Sequence, residues 1–78
     1  MRVDIFKREE PNGFFSYLLV PEGRNIPGEA TNTDWIAEAR GIDIDPDEES
    51  LDDLFIIYPG RQIRAKGYAI SHLSELSN

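Results

Sequence analysis

The chain contains no cysteine and only one histidine among its 78 residues. Without cysteine it can form neither disulfides nor thiolate metal sites, and a single histidine cannot supply the ligand pairs typical of zinc sites. A chain of this length has room for one core, which buries only about 60% of the surface of the unfolded chain. We therefore expect residues 1–78 to form one small domain, stabilised by its own packing or by a partner chain.

Long apolar runs are also lacking. Runs such as "YLLV" and "LFII" are far shorter than the roughly 20 residues that a membrane-spanning helix needs. The first ten residues, "MRVDIFKREE", lack the apolar core of a secretory signal. These features predict a cytoplasmic protein without a membrane segment, and the absence of cysteine fits a reducing compartment.

A surplus of positive charge is missing as well. The chain has 8 basic and 15 acidic residues, for a net charge of −7. Seven of those carboxylates lie in "DIDPDEESLDD", residues 43–53, which leaves eight acidic residues to balance the eight basic ones elsewhere. No basic surface is available to attract a phosphate backbone, so we expect no nucleic-acid partner.

The N-terminal third predicts a β-hairpin. Residues 2–8, "RVDIFKR", alternate apolar and polar side chains in the way of a half-buried strand. "EEPNG" has the composition of a turn, and "FFSYLLV", residues 14–20, has that of a second strand. Two strands this close in sequence pair antiparallel.

The rest of the chain predicts two short helices and a third strand. One helix begins with Thr31 or Thr33 as its cap, carries Trp35 as an anchor on the sheet, and ends at Gly41. The second begins at "DP", residues 45–46, and buries Leu51, Leu54 and Phe55. "RQIRAKG" adds one helical turn, and "YAISHL", residues 68–73, is the third strand. The predicted fold class is α+β: a small three-stranded antiparallel sheet (β-β-α-α-β) with two short helices on one face.

The acidic segment permits a second interpretation, as a divalent-metal site. Asp43, Asp45 and Asp47 match the first three ligand positions of a calcium-binding EF-hand loop. Glu48 then stands where that loop needs glycine, and Leu54 where it needs its bidentate glutamate. We favour a solvated helix start, and keep a small-ligand or metal-binding protein that uses residues 43–53 as the alternative function.

No arrangement of residues indicates catalysis. His72 has serine neighbours, but adjacent residues on a strand point to opposite faces and cannot form a nucleophile–base pair. No phosphate-binding loop or HExxH spacing occurs. We therefore expect no enzyme activity and no cofactor.

The predicted sheet carries more apolar surface than two short helices can cover. With Val3, Ile5 and Leu18 on one face, the opposite face receives four large side chains: Phe6, Phe15, Tyr17 and Leu19. An exposed patch of a few hundred Å² indicates an interface. The sequence thus predicts a noncatalytic interaction module, a homodimer or the binder of an unidentified protein, acting through this face or an edge strand. Alternatively, the loop at 21–30 covers the face, with Ile26 as its plug.

Three short blocks carry a resemblance to a known family. "MRVDIF" at the start, "ATNTDW" at 30–35 and "KGYAIS" at 66–71 resemble, in the same order, a family of short uncharacterised proteobacterial proteins. The resemblance covers nearly the whole chain and implies an independent cytoplasmic domain. It implies no activity and no functional residue.

Overall fold

The structure is a computed structural model that describes residues 1–11, 13–26, 28 and 34–71. The described residues form a four-stranded antiparallel sheet in the order β3-β1-β2-β6, and a two-stranded sheet of β4 and β5. One α-helix and one 3-10 helix complete them. The elements in chain order are β1 (Arg2–Glu9), β2 (Phe15–Pro21), β3 (Ile36–Asp43), β4 (Ser50–Leu51), the 3-10 helix (Asp52–Leu54), β5 (Ile56–Ile57), α1 (Pro59–Lys66) and β6 (Ala69–Ile70).

The predicted hairpin is present. Strands β1 and β2 pair from Val3 opposite Pro21 to Glu9 opposite Phe15. In the connecting turn, the Glu10 amide donates to the Phe14 carbonyl at 2.8 Å. Gly13 in this turn has a φ of 80°, a conformation that glycine adopts without steric cost.

The predicted fold class is wrong, first because the helix expected from 31 to 41 is not formed. The described residues of that segment form β3 from Ile36 onward, and the expected caps Thr31 and Thr33 lie outside the described residues. Strand β3 pairs antiparallel with the second edge of β1. Helix preferences differ by only about 0.7 kcal/mol between ordinary residues, so the gain from pairing an open strand edge overrides them.

The second predicted helix is wrong as well. Asp45 accepts hydrogen bonds from the amides of Asp47, at 2.9 Å, and Glu48, at 3.1 Å, and these local bonds make a turn. The chain then forms β4 and the single-turn 3-10 helix, which ends at Phe55 with a φ of 56°. Leu51 and Leu54 still pack against the core, as the helix prediction required of them.

The α-helix α1 forms over the segment that includes "RQIRAKG", for which the sequence predicted one helical turn. Helix α1 has Pro59 at its start, and it ends at Gly67, whose φ is 87° and whose amide donates to the Ile63 carbonyl at 2.8 Å. The predicted third strand is present as β6, and its expected residues 72–73 lie outside the described residues. No helix of the described chain is long and apolar enough to cross a membrane.

Apolar side chains pack on both faces of the larger sheet. We call the two sides the helix face, on which α1 lies, and the loop face. The helix-face core contains Val3, Ile5, Leu19, Ile56, Ile63 and Ala69. The loop-face core contains Phe6, Leu18, Val20 and Tyr68, with Ile26, Trp35 and Ile70 packed against it.

Both edges of the larger sheet are altered in ways that hinder further strand pairing. Strand β3 contains one extra residue between Ile42 and Ala39, and another between Ala39 and Ala37, relative to β1. Such bulges twist an edge strand and protect it from pairing. At the other edge, the Gln62 side chain accepts a hydrogen bond from the Ile70 amide at 3.1 Å and lies 3.5 Å from the Ile70 carbonyl.

Candidate functional site

The four side chains predicted to share one face are divided between two faces. The hairpin register places Phe6 opposite Leu18 and Ile5 opposite Leu19, so Phe6 lies on the loop face and Leu19 on the helix face. This differs from the prediction by one residue in register, which exchanges the faces of a whole strand. Phe6, at 8% exposure, and Leu19, at 0%, both lie in the core and offer no surface to a partner.

The other two residues, Phe15 and Tyr17, lie together on the helix face near the end of the hairpin. Lys7 pairs with Tyr17 on one side and with Ile36 of β3 on the other. Ile36 is 64% exposed and Phe15 is 38% exposed, while Tyr17 is half-buried. We call this set the hairpin-end patch: Lys7, Phe15, Tyr17, Ile36 and Glu38.

The charges within the hairpin-end patch neutralise each other. The Lys7 Nζ lies 2.9 Å from the Glu38 Oε2, and 5.0 Å from the centre of the Phe15 ring. The hydrogen bond to Glu38, with the attraction of its charge, raises the pKa of Lys7 above 10.5, so the ammonium group remains charged at neutral pH. The patch is therefore an apolar surface with one internal ion pair and no net charge.

The hairpin-end patch is open because the covering elements pack on the other half of the face. Ile56 and Ile63 contact the core around Val3, Ile5 and Leu19, and Leu51 and Leu54 join them from the side. On the open half, Ile36 of β3 and Phe15 of β2 are both exposed on the strands that flank β1, and exposed apolar side chains on one face favour association.

A second apolar surface lies on the helix face, where β3 leads into the acidic segment. Five aliphatic side chains line a groove of about 450 Å³: Ile5, Ile42, Ile44, Leu51 and Leu54. The same groove is bordered by Ser50, Asp52 and Asp53. We call it the acidic-rimmed groove.

The three aspartates considered for a metal are not brought together as a ligand set. Asp43 lies 3.6 Å from the N-terminal amine, and Asp45 accepts the hydrogen bond from the Asp47 amide. Over the described residues, no group of three or more His, Cys, Asp or Glu side chains is placed to hold a metal ion. No observation favours the metal-binding alternative.

Comparison with known protein families identifies the chain. The family model for a family of unknown function, DUF6139, matches residues 1–77. The chain belongs to DUF6139. No curated protein and no solved structure matches it. The resemblance to a family without an assigned activity is thereby confirmed, and the family assigns no role to any residue of this DUF6139 chain.

A buried carboxylate in this DUF6139 chain was missed by sequence reasoning. Asp4, 3% exposed, accepts hydrogen bonds from the amides of Gly41 at 3.0 Å and Gly23 at 3.2 Å, and its Oδ2 lies 3.4 Å from Arg40. The two amides, together with the Arg40 charge, hold the pKa of Asp4 below 3.8 even though burial acts in the opposite direction. Asp4 thus links β1 to β3 and to the turn after β2. Strand alternation gave no signal of this role.

The only histidine of the DUF6139 chain, His72, lies outside the described residues. Its predicted lack of a catalytic role therefore stays a prediction. Two further predictions also stay untested: that the chain is not an enzyme, and that residues 1–78 are one domain.

Proposed function

We propose that this protein is a noncatalytic protein–protein interaction module that forms a homodimer through the hairpin-end patch. The observation that carries the proposal is the 64% exposure of Ile36 on the same sheet face as Phe15, which is 38% exposed. Removing apolar surface from water contributes about 25 cal/mol per Å², so two such patches gain by covering each other. The proposal involves no reaction and no cofactor, and it keeps the cytoplasmic location that the sequence predicts.

A second copy of the chain suits this surface because the patch complements itself. In a twofold interface the same surface of each copy meets the other. Lys7 and Glu38 offer one charge of each sign and can exchange partners across the twofold axis. Asp43, where the acidic segment begins, lies at the opposite end of β3 from Ile36, roughly 20 Å along an extended strand.

The face of the sheet is a better surface for this association than either of its edges. The two bulges of β3 interrupt the regular spacing of backbone groups that an added strand would need. At β6, the Gln62 side chain already bonds the Ile70 amide. The proposal therefore assigns association to side-chain packing and retains the aromatic sheet face of the sequence prediction, reduced to Phe15 and Tyr17 and extended by Ile36.

The test is the oligomeric state of charged variants of exposed isoleucines. Ile36→Lys is expected to weaken the dimer about tenfold or more, because it places two ammonium groups in an apolar interface. Ile57→Lys is the matched control, since Ile57 is 40% exposed on β5, outside the patch. Sedimentation equilibrium over a range of concentrations measures both variants.

Two results would contradict the proposal. One is a wild-type chain that remains an 8.9-kDa monomer at millimolar concentration. The other is an equal loss of association in Ile36→Lys and Ile57→Lys. It would show that the interface lies elsewhere, or that an added charge at any exposed position weakens association. Circular dichroism confirms that each variant is folded before its association is compared.

A further inference from the structure

We propose that the acidic-rimmed groove is a second docking site, distinct from the dimer surface, that takes an apolar segment flanked by lysine or arginine from another protein. The apolar lining comes from two parts of the chain. Ile42 and Ile44 lie at and just after the end of β3, and Leu51 and Leu54 lie in β4 and the 3-10 helix. Its volume of about 450 Å³ lies within the range of about 300–1,000 Å³ that is typical of ligand sites.

The chemistry of the occupant follows from the charge at the rim. Asp52 and Asp53 border the groove, and neither lysine nor arginine lines it. The Ser50 hydroxyl lies 2.6 Å from Asp52, but none of the ion pairs in the described part of the chain uses Asp52 or Asp53. An apolar floor with carboxylates at its rim that form no ion pair complements an apolar segment with cationic flanks.

The same charges disfavour the other occupants. A second copy seated at its own groove would bring two acidic rims together, and like charges in contact across an interface are destabilising. The chain's own last residues, 72–78, contain Glu75 and no lysine or arginine. The most cationic stretch of the chain, with Arg61, Arg64 and Lys66, is folded into α1, and its apolar residue Ile63 is buried in the core, so we expect the occupant to come from another protein.

The binding test uses three synthetic fluorescent peptides of equal length. The first alternates leucine with lysine, the second alternates leucine with glutamate, and the third alternates serine with lysine. We expect the wild-type protein to bind the first peptide about tenfold more tightly than either of the others, measured by fluorescence anisotropy. Equal binding of the leucine–lysine and leucine–glutamate peptides would show that the acidic rim does not select cationic flanks and would overturn the proposal. Equal binding of the leucine–lysine and serine–lysine peptides would show that the apolar floor does not contribute, and would overturn it as well. No binding of the first would overturn the proposal.

Matched variants locate the binding. Asp52→Asn combined with Asp53→Asn is expected to weaken binding of the leucine–lysine peptide by about tenfold. Asp47→Asn combined with Glu48→Gln removes the same charge from a neighbouring cleft and is expected to weaken it much less. Equal losses in the two pairs would overturn the proposal, because they would show attraction to the overall negative charge alone.

Two readouts separate this inference from the proposed dimer. Amide chemical shifts recorded during titration with the leucine–lysine peptide should change around Ile42, Ile44, Leu51 and Leu54, and changes confined to other residues would overturn the groove assignment. The Ile36→Lys variant should bind the peptide as tightly as the wild type. A monomeric chain that still binds the peptide would remove the proposed function and leave the docking site in place.

Discussion

Among single residues, Gln62 forms hydrogen bonds at the β6 edge of the larger sheet that a further strand would otherwise form. Its side-chain amide donates to the Ile57 carbonyl at 2.7 Å and accepts from the Ile70 amide at 3.1 Å, so it connects β5 of the small sheet to β6 of the large one. A glutamine can do this because its amide carries the same donor and acceptor groups as a peptide unit. One side chain therefore closes an edge that would otherwise be open to pairing.

Replacement of this glutamine should reduce stability. Gln62→Ala leaves the Ile70 amide and the Ile57 carbonyl without these bonds, and we expect the free energy of unfolding to fall by about 1–2 kcal/mol. Urea denaturation measures the change. Arg64→Ala, at an exposed position of the same helix, is the control and should change it by less than about 0.5 kcal/mol. Equal changes in the two variants would mean that the side-chain hydrogen bonds of Gln62 do not contribute to stability.

Asp4 should make the stability of the folded protein depend on pH in the acidic range. Because the folded pKa of Asp4 is below its ordinary 3.8, its stabilisation is complete above that value and is lost as the pH falls through the lower, folded pKa. Asp4→Asn should therefore lower the melting temperature strongly at pH 7, and the difference from wild type should shrink below pH 3.8.

Thermal scans between neutral and strongly acidic pH check this prediction. Asp53→Asn, at an exposed position outside the Asp4 cluster, is the control and should leave the melting temperature at pH 7 nearly unchanged. A difference between Asp4→Asn and wild type that stays constant across the whole pH range would contradict the assignment.

At the scale of elements, the sequence predicted the N-terminal hairpin and the position of the last strand but not β3. The pattern of Val3 and Ile5 against polar neighbours identifies β1 without reference to the rest of the chain. The segment "IAEARG" contains good helix formers, and its strand conformation is decided by contact with β1, far away in sequence. Single-residue patterns contain no information about that contact.

The acidic segment is another element whose form depends on a distant contact. The Pro46 backbone lies against Gly60 at the start of α1, where a Cβ atom would come within 2.7 Å of the Pro46 carbonyl carbon. The Tyr58 amide donates to the Glu49 carbonyl at 2.7 Å beside this contact. Attachment to α1 thus holds the segment in a turn, and residues 47–49 share a cleft with Arg61 and Arg64.

Replacement of Gly60 tests this attachment. Alanine favours a helix over glycine by about 1 kcal/mol, so an open site would gain stability. Gly60→Ala should instead reduce the free energy of unfolding by about 1–3 kcal/mol, since the methyl group displaces the Pro46 backbone. Gly28→Ala, where nothing lies within 4 Å of the added atom, is the control and should be close to neutral. A stabilised Gly60→Ala variant in urea denaturation would contradict the contact.

At the scale of the whole molecule, the two proposed surfaces differ in charge. The hairpin-end patch contains one balanced ion pair, whereas the acidic-rimmed groove is bordered by Asp52 and Asp53 of residues 43–53, the segment that carries the entire net charge of −7. Sequence reasoning selected Phe15 and Tyr17 of the first surface by strand alternation, which places both on one face of β2. It missed Ile36, which stood in a predicted helix, and the groove, which is assembled from β3 and β4.

Because the two surfaces differ in charge, we expect the affinities of dimer formation and of peptide binding to change in opposite directions with salt. Raising NaCl from about 20 mM to about 300 mM shortens the screening length from about 20 Å to below 10 Å. The dimer should strengthen, because repulsion between two chains of charge −7 is reduced, and binding of the leucine–lysine peptide should weaken. Sedimentation and anisotropy titrations measure the two affinities, and a change of the same sign in both would contradict the assignment of the surfaces.

If a second copy of the chain covers the hairpin-end patch, protons of the two copies must approach each other there. An isotope-filtered NOE experiment on a mixture of ¹³C-labelled and unlabelled protein, at a concentration where the chain associates, detects such contacts between copies. We expect intermolecular contacts between the Ile36 methyl groups and the Phe15 or Tyr17 rings. Intermolecular contacts confined to other residues, or none at any concentration, would rule out a dimer through the hairpin-end patch.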